Sequence, residues 1–133
     1  MRSNLDVARL FLRKARSDLA DVRRTLASEG PYDTALFHCQ QAVEKYLKAL
    51  LAANNVTFPK IHDVVELAEL CADFCPTLGE LPFELAEFNP FAVTIRYDDV
   101  DDTVSLDLAK EMFDKCNQVL SVITAALPEE IKP

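Results

Sequence analysis

Apolar residues near the start of the chain recur at alternating intervals of three and four: Leu5, Ala8, Leu12, Ala15, Leu19, Val22 and Leu26. That spacing keeps one side of a helix apolar for about six turns and predicts a long amphipathic helix. Ser3 or Asn4 suits its N-cap, and Gly30-Pro31 must stop it. A second, wider stripe follows in Ala35, Cys39, Ala42, Val43, Tyr46, Leu47, Leu50 and Leu51. It predicts a helix capped by Asp33 and ended at Asn54-Asn55.

Past a loop containing Pro59, Asp63 is placed to cap a short helix through Val64, Leu67, Leu70 and Cys71, closed by Pro76. Pro82 and Pro90 suit first helical turns and forbid one continuous helix, so two short helical pieces are expected over 76–97. An acidic loop of Asp98, Asp99, Asp101 and Asp102 leads to Ser105, the expected cap of a final helix. That helix presents Ala109, Met112, Cys116, Val119, Ile123 and Leu127 inward, and Pro128 ends it. The pattern predicts an all-α, antiparallel, up-and-down bundle of about five helices forming one domain over 1–133.

Composition narrows the alternatives. Two glycines in 133 residues cannot supply the frequent turns of an all-β fold, and a half-hydrophobic chain is not a disordered one. No apolar run has the length of a membrane span, and charged residues interrupt the N-terminal region where an export signal would need an apolar core, so a cytoplasmic location is expected. Cys39, Cys71, Cys75 and Cys116 mostly fall on apolar helix faces and are expected to be buried thiols. Cys71 and Cys75 share a face at a permissible metal spacing, but no second pair or nearby His completes a tetrahedral set, so neither a metal nor a cofactor is expected.

The net charge of −8 divides unevenly, with +4 on residues 1–60 and −12 on residues 61–133. Such a balance disfavours a duplex DNA binder, which needs clustered cations. A local strip remains: Arg2, Arg9, Arg13, Arg16 and Arg23 fall in one sector of the first helix, a quarter-turn from its apolar stripe. Guanidinium forks suit phosphate or an acidic partner, whereas the plainer reading is a solvated face paired with the chain's own acidic half.

Gln41, Glu44, Lys45 and Lys48 occupy a polar face of the second helix, where Glu44 and Lys48 can pair. The run Gln40-Gln41-Ala42-Val43-Glu44-Lys45-Tyr46-Leu47-Lys48-Ala49, with its Asp33 to Phe37 lead-in, His62-Asp63 opening a helix and Arg96-Tyr97 further on, resembles the HEPN family. These are small helical domains named for nucleotide binding in higher eukaryotes and prokaryotes.

The resemblance implies a helical bundle, often a homodimer, frequently partnered with a small nucleotidyltransferase, some of the pairs being toxin and antitoxin. It marks Gln41, Glu44, Lys48, His62, Arg96 and Tyr97 as candidates for nucleotide or partner binding; Arg9, Arg13, Arg16 and Arg23 remain, on helical spacing alone, a candidate basic contact strip. Many family members are metal-independent ribonucleases with a His four to six residues after an Arg. Here Arg96 is followed by Tyr97, Asp98, Asp99, Val100, Asp101, Asp102 and Thr103, with no histidine. Attack by a ribose 2′-hydroxyl needs a proton-transfer group and a cation beside the phosphorane, and four carboxylates repel RNA instead. The expectation is a non-catalytic, homodimeric binding module, with a ribonuclease toxin using a displaced catalytic set, or a structural adaptor, as alternatives. His38 and His62 are expected to serve structure.

Overall fold

The computed structural model describes residues 3–58, 60–91 and 104–133. Among them are four α-helices, α1 (Asn4–Leu26), α2 (Asp33–Ala53), α3 (Val64–Cys71) and α4 (Leu106–Ala126), three short 3-10 segments and no strand. The bundle expected from periodicity is present. The pieces expected around the mid-chain prolines are the 3-10 segments Pro76–Glu80 and Leu85–Phe91, and a third, Glu129–Ile131, follows α4.

Local chemistry sets the helix ends. Ser3 caps α1 through the Asp6 amide, and the Asp6 carboxylate accepts from the Ser3 amide in return, a capping box. Ser105 accepts from the Leu108 amide and caps α4. The expectation for α2 is corrected: Tyr32 holds the N-cap position without a side-chain bond, and Asp33 is the first helical residue. There its carboxylate favours the helix dipole without capping an amide. Gly30 at φ +89° lets the chain turn between α1 and α2, where a Cβ would lie 3.1 Å from the Tyr32 ring. The Tyr32 hydroxyl donates to the Ser28 carbonyl at 2.9 Å.

Two further boundaries differ from expectation. Pro76 does not close α3, which ends at Cys71; it begins the first 3-10 segment, while Pro90 lies inside the second. Leu70 is 41% exposed, because eight residues make barely two turns and Val64, Leu67 and Cys71 already fill the inward face.

α2 is the centre of the fold. It forms a hairpin with α1 and also packs against α3, α4 and the Leu85–Phe91 segment. Fourteen of its 21 residues are buried, so it is enclosed nearly all round. The apolar stripe of α1 faces it, and every residue expected on the inner face of α4 is buried. Val119, Leu120, Ile123 and Leu127 are therefore consumed within one chain, and Leu70 and Leu108 are the large apolar side chains left exposed among the described residues. Surplus apolar surface thus gives no reason for a dimer.

Candidate functional site

Enclosing α2 carries part of its polar sequence into the interior. Gln40, Glu44 and Lys48 stand one above another at intervals of four, and all three are buried. Lys48 Nζ donates to Glu44 Oε2 at 3.1 Å, and Gln40 Nε2 donates to Glu44 Oε1 at 3.2 Å. Gln40 Nε2 also reaches the His62 carbonyl at 3.1 Å, while Gln41 Nε2 donates to Gln40 Oε1 at 2.7 Å. The His62 ring closes the row, its Nδ1 lying 3.3 Å from both Glu44 oxygens, with the side chain 70% exposed.

Four predicted residues, Gln41, Glu44, Lys48 and His62, thus form one network, joined by Gln40 from the same motif. Glu44 and Lys48 lie inside the bundle instead of on a solvated face, since α2 is covered on that side. Every buried side-chain nitrogen or oxygen among the described residues has a partner. The buried part of the network is therefore satisfied, and what it offers solvent is the outer edge of His62 and the part-exposed Gln41. Arg96 and Tyr97 lie outside the described residues, as does the acidic run after them.

A second polar cluster joins α1 to α2. Asp18 is 6% exposed; His38 Nδ1 donates to its Oδ1 at 2.7 Å and Lys45 Nζ to its Oδ2 at 2.5 Å. The other ring nitrogen of His38 lies 3.7 Å from Asp21, whose carboxyl is held below its ordinary range by the hydrogen bond from Arg24. Sequence reasoning gave His38 a packing role and missed Asp18 entirely. Its position beside Ala15, Leu19 and Val22 in the apolar stripe was the available signal, and the lysine and histidine of α2 were the unassigned partners.

His62-Asp63 acts as a clip. His62 is tied to Gln40 and Glu44, while Asp63 Oδ1 accepts from the amides of Val65 at 2.8 Å and Glu66 at 3.3 Å, capping α3 as expected. Asn89, from the second 3-10 segment, donates to the same oxygen at 3.1 Å and accepts from the Val64 amide at 3.2 Å.

The arginine strip divides. Arg9, Arg13 and Arg16 line a groove of about 270 Å³ with Lys132 and Glu130, floored by Leu12 and Ile131. Arg9 bonds Asp6 in its own helix, and neither Arg13 nor Arg16 has an ion pair among the described residues. Arg23 lies apart, 6.0 Å from the centre of the Phe113 ring. Among the described residues the carboxylate partner of the strip is Asp6, and Arg13 and Arg16 are solvent-exposed; the acidic run after Arg96 lies outside the described residues.

All four cysteines are buried free thiols. Cys71 Sγ donates to the Leu47 carbonyl, Cys75 Sγ to Val122 and Cys116 Sγ to Cys39. Burial pushes the Cys71 thiol up to about 12; Cys116 is raised well above its ordinary value by a hydrogen bond with Cys39 and by burial. No group of three or more metal-ligating side chains is assembled among the described residues. No helix there is long and apolar enough to cross a membrane.

The described residues thus form an all-α bundle built around α2, whose buried Gln40, Glu44 and Lys48 row is clipped by His62-Asp63. The family model for the HEPN domain matches residues 8–127, and the chain belongs to that family. A 55-residue stretch is 38% identical to a protein of Methanocaldococcus jannaschii named "Putative toxin MJ1304", spanning 41% of this chain and 36% of that relative's length. No solved structure matches the sequence.

Proposed function

We propose that this chain is the HEPN subunit of a toxin–antitoxin type pair, a homodimer that binds a small nucleotidyltransferase and works by binding, not as a ribonuclease. The observation carrying the non-catalytic part is the state of its imidazoles. The sequence holds two histidines; His38 has carboxylates at both ring nitrogens, and His62 has Nδ1 against Glu44. Neither follows Arg96 in sequence, so the pairing of proton-transfer group and cation that RNA cleavage needs is not supplied by the family's motif. The pairing with a nucleotidyltransferase and the dimer rest on family membership, and the toxin connection on the printed name of the relative.

An anionic ligand is proposed for the groove of Arg9, Arg13, Arg16 and Lys132, with Arg13 and Arg16 as its main contacts, since Arg9 is held by Asp6 and Lys132 by Glu129. The Gln40, Glu44 and Lys48 row is a poorer candidate because its bonds are spent inside the bundle. A nucleotide phosphate fits the guanidinium forks there.

Co-expression with a nucleotidyltransferase encoded beside this gene should give a co-purifying complex, and the purified chain should leave single-stranded and structured RNA intact. Arg13→Glu should weaken nucleotide binding more than Gln41→Ala. Specific RNA cleavage that disappears in Arg96→Ala would replace this reading with that of a ribonuclease toxin.

A further inference from the structure

Between α3 and the chain that follows it lies an open groove of about 330 Å³. Val65, Ala68 and Ala72 form one wall and Leu81, Phe83 and Leu85 the other. Glu69 and Glu84 stand at its edge, both exposed. The floor includes Cys75 and Leu78, which are buried, so the groove opens directly onto the core.

The charge around the groove is mostly negative, with Lys115 Nζ standing 5.6 Å from the centre of the Phe83 ring. Residues 61–91 carry seven carboxylates, from Asp63 to Glu87, and no lysine or arginine. Lys115 of α4 reaches this region and is spent on Glu87, with Nζ 2.6 Å from its Oε1. That bond holds the Glu87 carboxyl below its usual range and raises the lysine. An apolar slot set in a negative field attracts an apolar group that brings positive charge with it.

We propose that this groove docks a cationic amphipathic segment of a partner protein, seating an apolar anchor side chain between the walls and lysine or arginine side chains over Glu69 and Glu84. A second copy of this chain is a poor occupant. Among the described residues the large apolar side chains it exposes are Leu70 on α3 and Leu108 on α4, and neither is on α1 with the basic strip. Anchors that fill a pocket carry most of the energy of such contacts, while the charged rim sets approach rate and selectivity.

This inference rests on the reading that the chain works through a protein partner, and it names the surface. Its test uses the full chain and short fluorescein-labelled peptides read by polarisation. One peptide has a Leu-Phe anchor flanked by lysines, the second has glutamates for the lysines, and the third has alanines for the anchor. The lysine-flanked peptide should bind and weaken with added salt, and the other two should bind at least tenfold less well, about 1.4 kcal/mol. The double substitution Glu69→Gln/Glu84→Gln, on exposed positions, should remove most of the salt dependence, and Ala72→Trp should plug the groove and abolish binding with the melting temperature unchanged. Equal binding of all three peptides, no binding of the first, or unaltered binding to Ala72→Trp overturns the proposal. Co-purification with a nucleotidyltransferase is scored separately, so the pair can survive the loss of this groove, and the groove the loss of the pair.

Discussion

Lys48 Nζ bonds Glu44 Oε2 at 3.1 Å, one helical turn away, with 10% and 5% of the two side chains exposed. On an exposed helix that spacing contributes about 0.2 to 0.5 kcal/mol. Under α3 and the His62 loop it becomes a buried ion pair, and breaking such a pair leaves a charge in low dielectric at roughly 3 to 5 kcal/mol.

Lys48→Met should therefore destabilise the fold by about 3 kcal/mol in urea unfolding, and adding Glu44→Leu should recover most of the loss. The Gln40 amide keeps the His62 carbonyl in the double variant. Equal stability of the parent and the single variant would show that the pair is solvated.

Asp18 is the hub of the α1–α2 hairpin, accepting from both His38 and Lys45. Asp18→Leu removes a buried carboxylate and leaves the part-exposed His38 ring and Lys45 ammonium to reach water. The expected cost is about 1 to 3 kcal/mol. A double-mutant cycle with Lys45→Met should give a coupling of at least 0.5 kcal/mol. Additive losses would show that the bond contributes nothing.

Asp63 caps α3 and holds Asn89. Asp63→Ala should cost about 1 kcal/mol for the cap, somewhat more with the Asn89 bond counted, and Asp63→Asn much less. Hydrogen exchange at the Val65 and Glu66 amides reads this directly. Their protection should fall in Asp63→Ala and hold in Asp63→Asn.

Cys71 and Cys116 keep their protons in the folded state beyond the pH at which unfolded thiols lose theirs. For Cys71 the folded value is about 12 against 9.0 in the free side chain. Between those values the unfolded chain binds fewer protons than the folded one, so stability falls as pH rises from about 9 and levels off near 12. Denaturation midpoints across that range should decline, and Cys71→Ala should flatten the decline. In the folded protein these two thiols should resist iodoacetamide at pH 8.

Helix identity and inward faces were legible because periodicity is a local property. The α1 stripe, the α4 stripe and the Ser105 and Asp63 caps all follow from residues within a few positions of one another. Asp33 failed as a cap because the turn's geometry, set by Gly30 and Tyr32, places it one residue too late. The candidate site was half legible: the Gln-Glu-Lys motif pointed to α2 and to His62-Asp63, yet it read as a surface face.

By itself, the sequence determined that the chain folds into an all-α bundle and where its helices lie, since spacings of three and four allow few other ways to bury apolar groups. It also determined that no histidine follows Arg96. Only the tertiary structure decided that α2 is enclosed, because the burial of Glu44 and Lys48 depends on α3 and the His62 loop packing from elsewhere in the chain. The same packing brought Asp18 to His38 and Lys45, and placed the 3-10 segments against α3 to form the acid-rimmed groove. Glu44 and His62 are 18 positions apart, and Asp18 is 20 from His38 and 27 from Lys45, beyond the reach of any local periodicity.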